Sequence, residues 1–272
     1  MKIALLDSGI GLLAAAAAVR RLRPDADLVL SSDPDSMPWG PRTPEDVVER
    51  SVHLARAAAR HRPDALVVAC NTSSVNALPA LRRELEPEVP VVGTVPAVKP
   101  AAAGGGPVAV WATPATTGSP YQRDLIARFA AGVEVTEVPC PGLADAVQWA
   151  DEAGIDAAVG AAAALTPPDV RAVVLGCTHY ELVADRIAAA LRRPRTPAAA
   201  GDLALHGSAE AVAAQALRRI GAEPAPAADA TGSLTVLLGG RPAQLPREAL
   251  VYAEGRLLAA GDRTPVGGAR PV

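Results

Sequence analysis

Two cysteines stand in matching positions along the chain. Cys70 directly follows the apolar run ALVVA, Cys177 directly follows AVVLG, and a segment of helical pattern comes after each. Ligands in open α/β sheets bind just beyond the carboxyl ends of strands, and a helix N-terminus favours the thiolate form of a cysteine. Both thiols are therefore candidates for acid–base or nucleophilic chemistry. Cys140, which lies between two prolines, lacks this setting and is interpreted as a packed thiol.

The residues next to the two thiols are small hydrogen-bonding groups. Asn71 and Thr72 follow the first cysteine, and Thr178 and His179 follow the second. No CxxC or HxxxH spacing occurs, so no zinc site is expected. Two alternatives stay open from the residues alone. One is a Cys–His pair of the protease type, which leaves the second thiol without a role, and the other is a redox disulfide between the two cysteines.

Further candidates lie at other predicted strand ends and in adjoining loops. Asp7 and Ser8 close the first strand in a glycine loop whose backbone N–H groups could hold a carboxylate, although Asp7 could equally be a turn or cap residue. The GxG in this loop is a weak sign of a nucleotide site, because GxGxxG and a Walker lysine are both missing. The remaining candidates are Trp39, Gly40, Thr113 and Thr116.

Apolar runs of strand length alternate with helical stretches, first up to residue 93 and again from residue 108. This alternation is typical of parallel sheets covered by helices on both faces. Cys177 lies 107 residues after Cys70, and Thr113 lies 106 residues after Asp7, so the two halves resemble repeats. We therefore predict an α/β fold with two pseudo-symmetric parallel-sheet α/β domains and the active site in the cleft between them.

The expected first domain comprises residues 1–96 and 206–272, and the second comprises residues 97–205. Dense proline and glycine over 96–107 predict a linker between them. Further expectations are helices over Leu12–Leu22, Ser74–Glu86, Glu181–Leu191 and His206–Arg219, a hairpin of Thr235–Leu238 with Ala249–Tyr252, and a frayed tail over Gly261–Val272.

Composition limits the class of protein and its partners. The chain has 272 residues, of which 50% are hydrophobic and 3% aromatic, and its net charge is −3. No basic run occurs, so we expect no nucleic-acid partner, and no apolar run reaches the roughly 18 residues that span a bilayer, so we expect no membrane partner. The first residues loosely imitate a signal peptide, but Asp7 interrupts the apolar stretch. Three unpaired cysteines then predict a reducing, cytoplasmic location.

The chain resembles the glutamate racemase family of the cofactor-independent Asp/Glu racemase superfamily. The segments that carry the resemblance are LLDSGIG (5–11), PWG (38–40), VVACNTSS (67–74), VPVVGTVPAVKPA (89–101), WATPATTGS (111–119) and VLGCTHYELV (174–183). The resemblance implies two pseudo-symmetric α/β domains, the first completed by the C-terminal segment, and racemisation of a small-molecule substrate. It implies no cofactor, no pyridoxal phosphate and no metal. Relatives dimerise in different ways, so a homodimer is an open expectation.

The resemblance also implies roles for the candidate residues. Cys70 would be the acid/base for one enantiomer and Cys177 for the other. Asp7 would assist the first thiol and hold the substrate ammonium, and His179 would assist the second thiol. The α-carboxylate and amine would be bound by Asn71, Thr72 and Thr178, with Thr113 and Thr116 as further candidates for that carboxylate. The side-chain carboxylate would be held by Ser8 and the Trp39–Gly40 backbone.

Several positions depart from the family pattern. Leu12 stands where the family has a third glycine, Trp39 where it has tyrosine, and Glu181 where it has proline. We expect Glu181 to cap the following helix and face solvent. The leading hypothesis is a glutamate racemase that supplies D-glutamate for peptidoglycan. The alternatives are a racemase or isomerase of another small acidic amino acid or related substrate, and a non-catalytic ligand-binding regulatory homologue.

Overall fold

The computed structural model of the protein describes residues 1–192 and 203–260, and the expected frayed tail lies outside these ranges. Two β-sheets form within them. The strands in chain order are β1 (Lys2–Asp7), β2 (Asp27–Ser32), β3 (Ala65–Val68), β4 (Val91–Gly93), β5 (Val108–Ala112), β6 (Val135–Pro139), β7 (Ala172–Leu175), β8 (Ala204–His206), β9 (Leu234–Leu238) and β10 (Arg241–Ala243).

The two sheets repeat one topology. The first has the order β10-β9-β2-β1-β3-β4 and the second the order β6-β5-β7-β8, so β1 to β4 and β5 to β8 are arranged in the same way. Every strand pair in both sheets is parallel except β9 with β10. The predicted α/β class with parallel sheets is thus confirmed. Because β9 pairs with β2, the C-terminal part of the chain returns to the first sheet.

Helices connect and cover these strands. In chain order they are α1 (Leu12–Leu22), α2 (Pro44–Ala59), α3 (Asn71–Leu85), α4 (Val98–Ala103), α5 (Pro120–Phe129), α6 (Leu143–Gln148), α7 (Glu152–Leu165), α8 (Thr178–Glu181), α9 (Ala184–Leu191), α10 (Ala209–Arg219) and α11 (Ala253–Ala260). Side chains cap several of them: Thr43, Ser119 and Asp151 each accept a hydrogen bond from a backbone N–H in the first turn of α2, α5 and α7. None of the helices in the described ranges is both long enough and apolar enough to cross a membrane.

Small side chains build much of the core around the site. Residues 14–18 of α1 are five alanines, all buried, and α10 and α11 pack against this helix. Arg20, on the same helix, donates hydrogen bonds to the carbonyl oxygens of Pro24, Ala26 and Ser233. The last of these bonds attaches the segment before β9 to α1.

Three local predictions are wrong. The expected linker at 96–107 contains α4, whose Val98 and Ala101 are buried with strands of the second sheet. The expected second hairpin strand, Ala249–Tyr252, falls mostly in a 3₁₀ turn over Arg247–Val251, and the partner of β9 is β10 instead. The expected helix over Glu181–Leu191 is interrupted between α8 and α9.

The expectation for Glu181 is also wrong. Its carboxylate accepts hydrogen bonds from Ser208 N at 2.8 Å, Ser208 Oγ at 2.9 Å and Ala209 N at 3.2 Å. It therefore caps the N-terminus of α10 and not the following helix. The positive end of the α10 dipole favours a carboxylate at this position. Gly207 leaves the space for this contact, because a Cβ there would overlap the Glu181 carboxylate. The bonds link the helix after Cys177 to the point where the chain returns to the first sheet.

Candidate active site

The residues singled out in the sequence come together at one cavity. Its lining includes Asp7, Ser8, Trp39, Gly40, Cys70, Asn71, Thr72, Thr113, Thr116, Cys177, Thr178 and His179. Most of them follow the carboxyl ends of β1, β3, β5 and β7, the edge at which open α/β sheets bind ligands, and Trp39 and Gly40 come from the segment between β2 and α2. The cavity measures about 50 Å³. Pockets for small molecules commonly measure about 300 Å³ or more, so the structure holds the cleft in a closed arrangement that must widen to admit a substrate.

The Cys70 thiol is buried at the start of α3. Cys70 is the N-cap residue, and its Sγ accepts a hydrogen bond from Ser73 N at 3.5 Å. Ser8 Oγ lies 3.9 Å from the same sulfur. Burial, with the negative charge of Asp7 second, raises the pKa of the Cys70 thiol to about 12. The thiol is therefore protonated at neutral pH, and its thiolate, once formed, is a stronger base than that of an ordinary cysteine.

Cys177 has a different partner. It precedes α8, and its Sγ lies 4.0 Å from Nδ1 of His179. Burial raises the pKa of the Cys177 thiol well above its ordinary value, and the negative charges of Asp7 and Cys70 add to this effect. All three cysteines of the chain are free thiols, so the disulfide alternative is not what the structure contains. Both Cys70 and Cys177 line the same cavity.

Asp7 lies between the two sheets. Its Oδ1 accepts hydrogen bonds from Ser8 N at 2.6 Å and Ser8 Oγ at 3.1 Å, and its Oδ2 accepts one from Thr178 Oγ1 at 3.0 Å. Burial raises the pKa of the Asp7 carboxyl, although His179 and these hydrogen bonds act in the opposite direction. A carboxylate has about four acceptor positions, so one remains for a donor in the cavity.

Asn71 joins the two sheets at the site. Its Nδ2 donates to the carbonyl oxygen of Gly176 at 2.7 Å, and its Oδ1 is buried without a hydrogen-bond partner. Because the carbonyl can only accept, the amide nitrogen must face Gly176 and the oxygen must face away from it. The side chain therefore offers an acceptor, which fits an ammonium group and not a carboxylate. Of the two groups that Asn71 was expected to bind, the α-carboxylate and the amine, only the amine fits this orientation.

The donors expected for a distal carboxylate are partly engaged. Ser8 Oγ donates to Asp7, and Trp39 Nε1 donates to Ser36 Oγ at 2.8 Å. Trp39 is buried and lines the cavity, but its N–H group is bonded to Ser36 and is not available to a ligand. Thr113 and Thr116 face each other with their Oγ1 atoms 3.2 Å apart. Backbone N–H groups and these threonine hydroxyls are thus the available donors.

Two glycines allow the sheets to approach. A Cβ at Gly11 would lie 2.7 Å from Asp7 Oδ2 and 2.8 Å from His179 Nδ1, and closer still to Thr178 Oγ1. A Cβ at Gly9 would overlap the amide oxygen of Gln148. Gly11 has ordinary helical backbone angles, with φ −55° and ψ −27°, so it is required for space and not for backbone conformation.

The sequence analysis missed several residues of the site. Met37, Ala144 and Gly176 line the cavity, and Gln148 contacts His179 from behind. In the sequence Gln148 is a polar residue within a largely apolar segment, which alone does not reveal its partner. In the part of the chain that the structure describes, no group of three or more His, Cys, Asp or Glu side chains is arranged to hold a metal ion.

Fold and site together define a class of protein: a two-sheet α/β enzyme whose functional groups, two free thiols among them, meet in a cleft between the sheets. The chain belongs to the Asp/Glu/hydantoin racemase family, because the model of that family matches residues 11–216. It is 39% identical over 195 residues to the glutamate racemase of Roseiflexus sp. (strain RS-1), covering 69% of this chain and 70% of the relative. It is 36% identical over 225 residues to that of Pseudomonas putida, covering 81% and 82%.

Solved structures show the same relationship. The crystal structure of Escherichia coli glutamate racemase, in complex with L-glutamate and an activator, matches with a TM-score of 0.71 at 28% identity, over 94% of this chain and 92% of that one. Glutamate racemase from Thermus thermophilus, in complex with β-chloro-D-alanine, matches with a TM-score of 0.66 at 28% identity, over 97% and 94%. The resemblance seen in the sequence motifs, and the two-sheet α/β fold that it implied, are confirmed.

Proposed function

We propose that the protein interconverts L- and D-glutamate without a cofactor, with Cys70 and Cys177 as general acid/bases on opposite faces of the α-carbon. The observation that carries this proposal is that two free thiols, each placed after a parallel strand in a repeated topology, line one cavity. Racemisation requires removal of a proton from one face of a carbon and delivery to the other. Two bases on opposite sides do this without turning the substrate over.

The protonation of the thiols suits this exchange. Burial raises the pKa of both, so at rest each sulfur carries its proton and can act as the acid. For a given enantiomer, one thiol must lose its proton to become the base while the other stays protonated. In the reverse direction the two roles are exchanged. We propose that Asp7 assists the deprotonation of Cys70 and that His179 assists the deprotonation of Cys177. Both assisting residues line the cavity with the thiols.

The charges of the cavity fit an amino acid. Asp7 carries the one acidic side chain among the described lining residues, and no Lys or Arg occurs among them. A substrate ammonium would take the remaining acceptor of Asp7 and the unpartnered Oδ1 of Asn71. Placing this positive charge beside the thiols would also lower their pKa values and ease formation of the thiolate.

Neutral donors would hold the carboxylates. The N-terminus of α3 presents backbone N–H groups beside Thr72, and Thr113 and Thr116 add hydroxyls. The Thr178 hydroxyl already donates to Asp7, so its oxygen is left to accept from the substrate ammonium. We assign the α-carboxylate to these donors and the side-chain carboxylate to the Gly40 backbone, because both donors of Ser8 are bonded to Asp7. Donors fixed before the reaction stabilise the charge that develops on the carboxylate when the α-proton leaves, and this stabilisation commonly contributes more to the rate than any other effect.

Optical rotation of glutamate tests the function directly. We expect the purified protein, without added cofactor, to bring L-glutamate and D-glutamate to the same optically inactive mixture, followed by circular dichroism. A panel of other amino acids under the same conditions separates the alternatives. If only another small acidic amino acid loses its rotation, that compound and not glutamate is the substrate. If amino acids bind but none loses its rotation, the protein is a regulatory homologue.

Trp39 provides a test of substrate choice. We expect Trp39→Tyr to raise kcat/KM for L-glutamate about tenfold, because a hydrogen bond to a charged group contributes about 1.5 kcal/mol or more. Trp39→Phe is the matched control, since it reduces the ring and loses the bond to Ser36 in the same way but adds no hydroxyl. Equal kinetics for the two variants would show that position 39 does not contact the distal carboxylate.

Placement in the cell follows from the proposed reaction. D-Glutamate is a building block of peptidoglycan, and we propose that the enzyme supplies it in the cytoplasm, where the two thiols stay reduced. Loss of the gene product should then make growth depend on added D-glutamate. Growth without it would separate this physiological role from the reaction itself.

A further inference from the structure

A buried amide that the sequence did not single out contacts His179 and reaches across the cleft to the loop after β1. Gln148, the last residue of α6, is 2% exposed. Its Oε1 lies 2.8 Å from the backbone nitrogen of Ile10 and 3.1 Å from Nε2 of His179. Gly9 leaves the space for this amide. One atom of Gln148 thus contacts both the loop after β1 and the imidazole beside Cys177.

These contacts fix the proton positions on the histidine ring. The backbone N–H group of Ile10 can only donate, so the atom of Gln148 that faces it must be the carbonyl oxygen. That oxygen can only accept, so Nε2 of His179 must carry a hydrogen. In a neutral ring Nδ1 then has no hydrogen, and its lone pair is free to accept a proton. Nδ1 is the ring atom that lies 4.0 Å from Cys177 Sγ.

The groups around His179 keep the ring neutral at rest. Burial lowers the pKa of His179, although the negative charges of Asp7 on β1 and Asp145 on α6 act in the opposite direction. The Cys177 thiol, which lies next to Nδ1 of the ring, is uncharged at neutral pH because burial raises its pKa. An amide at position 148 accepts a hydrogen bond without adding a negative charge, so it orients the imidazole without promoting its protonation.

We propose that Gln148 is a positioning residue that holds neutral His179 in the Nε2–H tautomer, so that Nδ1 accepts the proton of the Cys177 thiol. In this step the S–H bond breaks, its electron pair stays on sulfur, and an N–H bond forms at Nδ1. The thiolate then takes the α-proton of the substrate while Cys70 gives its own proton to the opposite face. Before the next turnover His179 releases a proton to solvent and Cys70 takes one up, so protons balance over the cycle.

This inference rests on the proposed racemisation, but its first test does not require activity. In protein labelled with ¹⁵N in the histidine rings, we expect the His179 signals at neutral pH to show hydrogen on Nε2 and none on Nδ1. Gln148→Leu should lose this preference. Hydrogen on Nδ1 in the unmodified protein, or an unchanged tautomer in Gln148→Leu, would overturn the assignment of Gln148 even if racemisation is confirmed.

Kinetics provide the second test. We expect Gln148→Leu to lower kcat about 10²-fold, the scale of general acid–base assistance. Gln122→Leu is the matched control. Gln122 is also 2% exposed but does not line the cavity, so this variant replaces an equally buried glutamine by leucine away from the site. Losses of kcat that are equal in the two variants would show that Gln148 has only a structural role.

Gln148→Glu distinguishes orientation from simple packing. A carboxylate at this position still accepts from Nε2 and from Ile10, so we expect activity to be retained. Its negative charge should raise the pKa of His179, and an opposite charge at this range shifts a pKa by about one unit or more. Because Nδ1 must be free of a proton to act, the acid limb of the kcat/KM profile should move to higher pH. A profile identical to that of the unmodified enzyme would contradict the proposal.

Discussion

Cys70→Ser and Cys177→Ser should each lower the rate of glutamate racemisation by about 10²- to 10⁴-fold, the range that one general acid/base contributes. A serine hydroxyl keeps the size and hydrogen bonds of the side chain but is far too weak an acid to form the required anion. Because one thiol acts as base and the other as acid in each direction, loss of either should affect both directions. The rate is measured by circular dichroism from each enantiomer in turn.

Cys140 supplies the control for these variants. Like Cys70 it is buried, and burial raises the pKa of its thiol to about 12. Its sulfur donates to the carbonyl oxygen of Val138 and does not line the cavity. We therefore expect Cys140→Ser to keep most of the activity while losing some stability. Near-normal racemisation by either Cys70→Ser or Cys177→Ser would exclude the two-thiol mechanism.

Gly11→Ala should lower kcat/KM by about 10²-fold, the effect of displacing reacting groups by about 1 Å. The added methyl group would overlap Thr178, Asp7 and His179 in the closed cleft. Helical backbone angles at Gly11 accommodate alanine, so the strain is confined to the contact between the two sheets. Widening of the cleft relieves it and separates the groups that must act together. Kinetics and urea unfolding measured on the same preparation separate loss of activity from loss of fold.

Gly160 in α7 is the matched control for this substitution. A Cβ at Gly160 would meet nothing within 4 Å. Gly160→Ala should leave the kinetics unchanged and raise the free energy of unfolding by roughly 0.5–1 kcal/mol, the helical preference for alanine. Full activity in Gly11→Ala would mean that the closed arrangement is not the catalytic one.

Local patterns predicted the elements near the site well. The bounds of α1 match the expected Leu12–Leu22, and β1 ends at Asp7, one of the two residues expected to close the first strand. The start of α3 was misplaced: Ser74 was expected, but the helix begins at Asn71 because Cys70 itself serves as the N-cap. Pattern reading favours Ser, Thr, Asp or Asn at that position. The helix α4 and the short strand β8 were not predicted for a different reason. A segment rich in proline and glycine, and a strand of three residues, carry little periodic signal.

The membership of the site followed from the strand ends, but its internal bonding did not. Residues just beyond β1, β3, β5 and β7 could be placed together because parallel strands end at one edge. The partners of Asn71 and Gln148 lie 105 and 138 residues away in the chain, at Gly176 and Ile10. No local pattern encodes contacts between two separate sheets. Glu181 was misassigned for the same reason, since its partner helix α10 begins 28 residues later.

The most direct measurement of the two-thiol mechanism follows the α-hydrogen during racemisation of L-glutamate in D₂O, stopped at low conversion. Both thiols exchange with solvent, so the D-glutamate formed should carry one deuterium at the α-carbon, delivered by the thiol opposite to the one that removed the proton. The remaining L-glutamate should still carry protium. D-Glutamate that retains the original proton, or L-glutamate as deuterated as the product, would mean that a single base serves both faces and would contradict the mechanism.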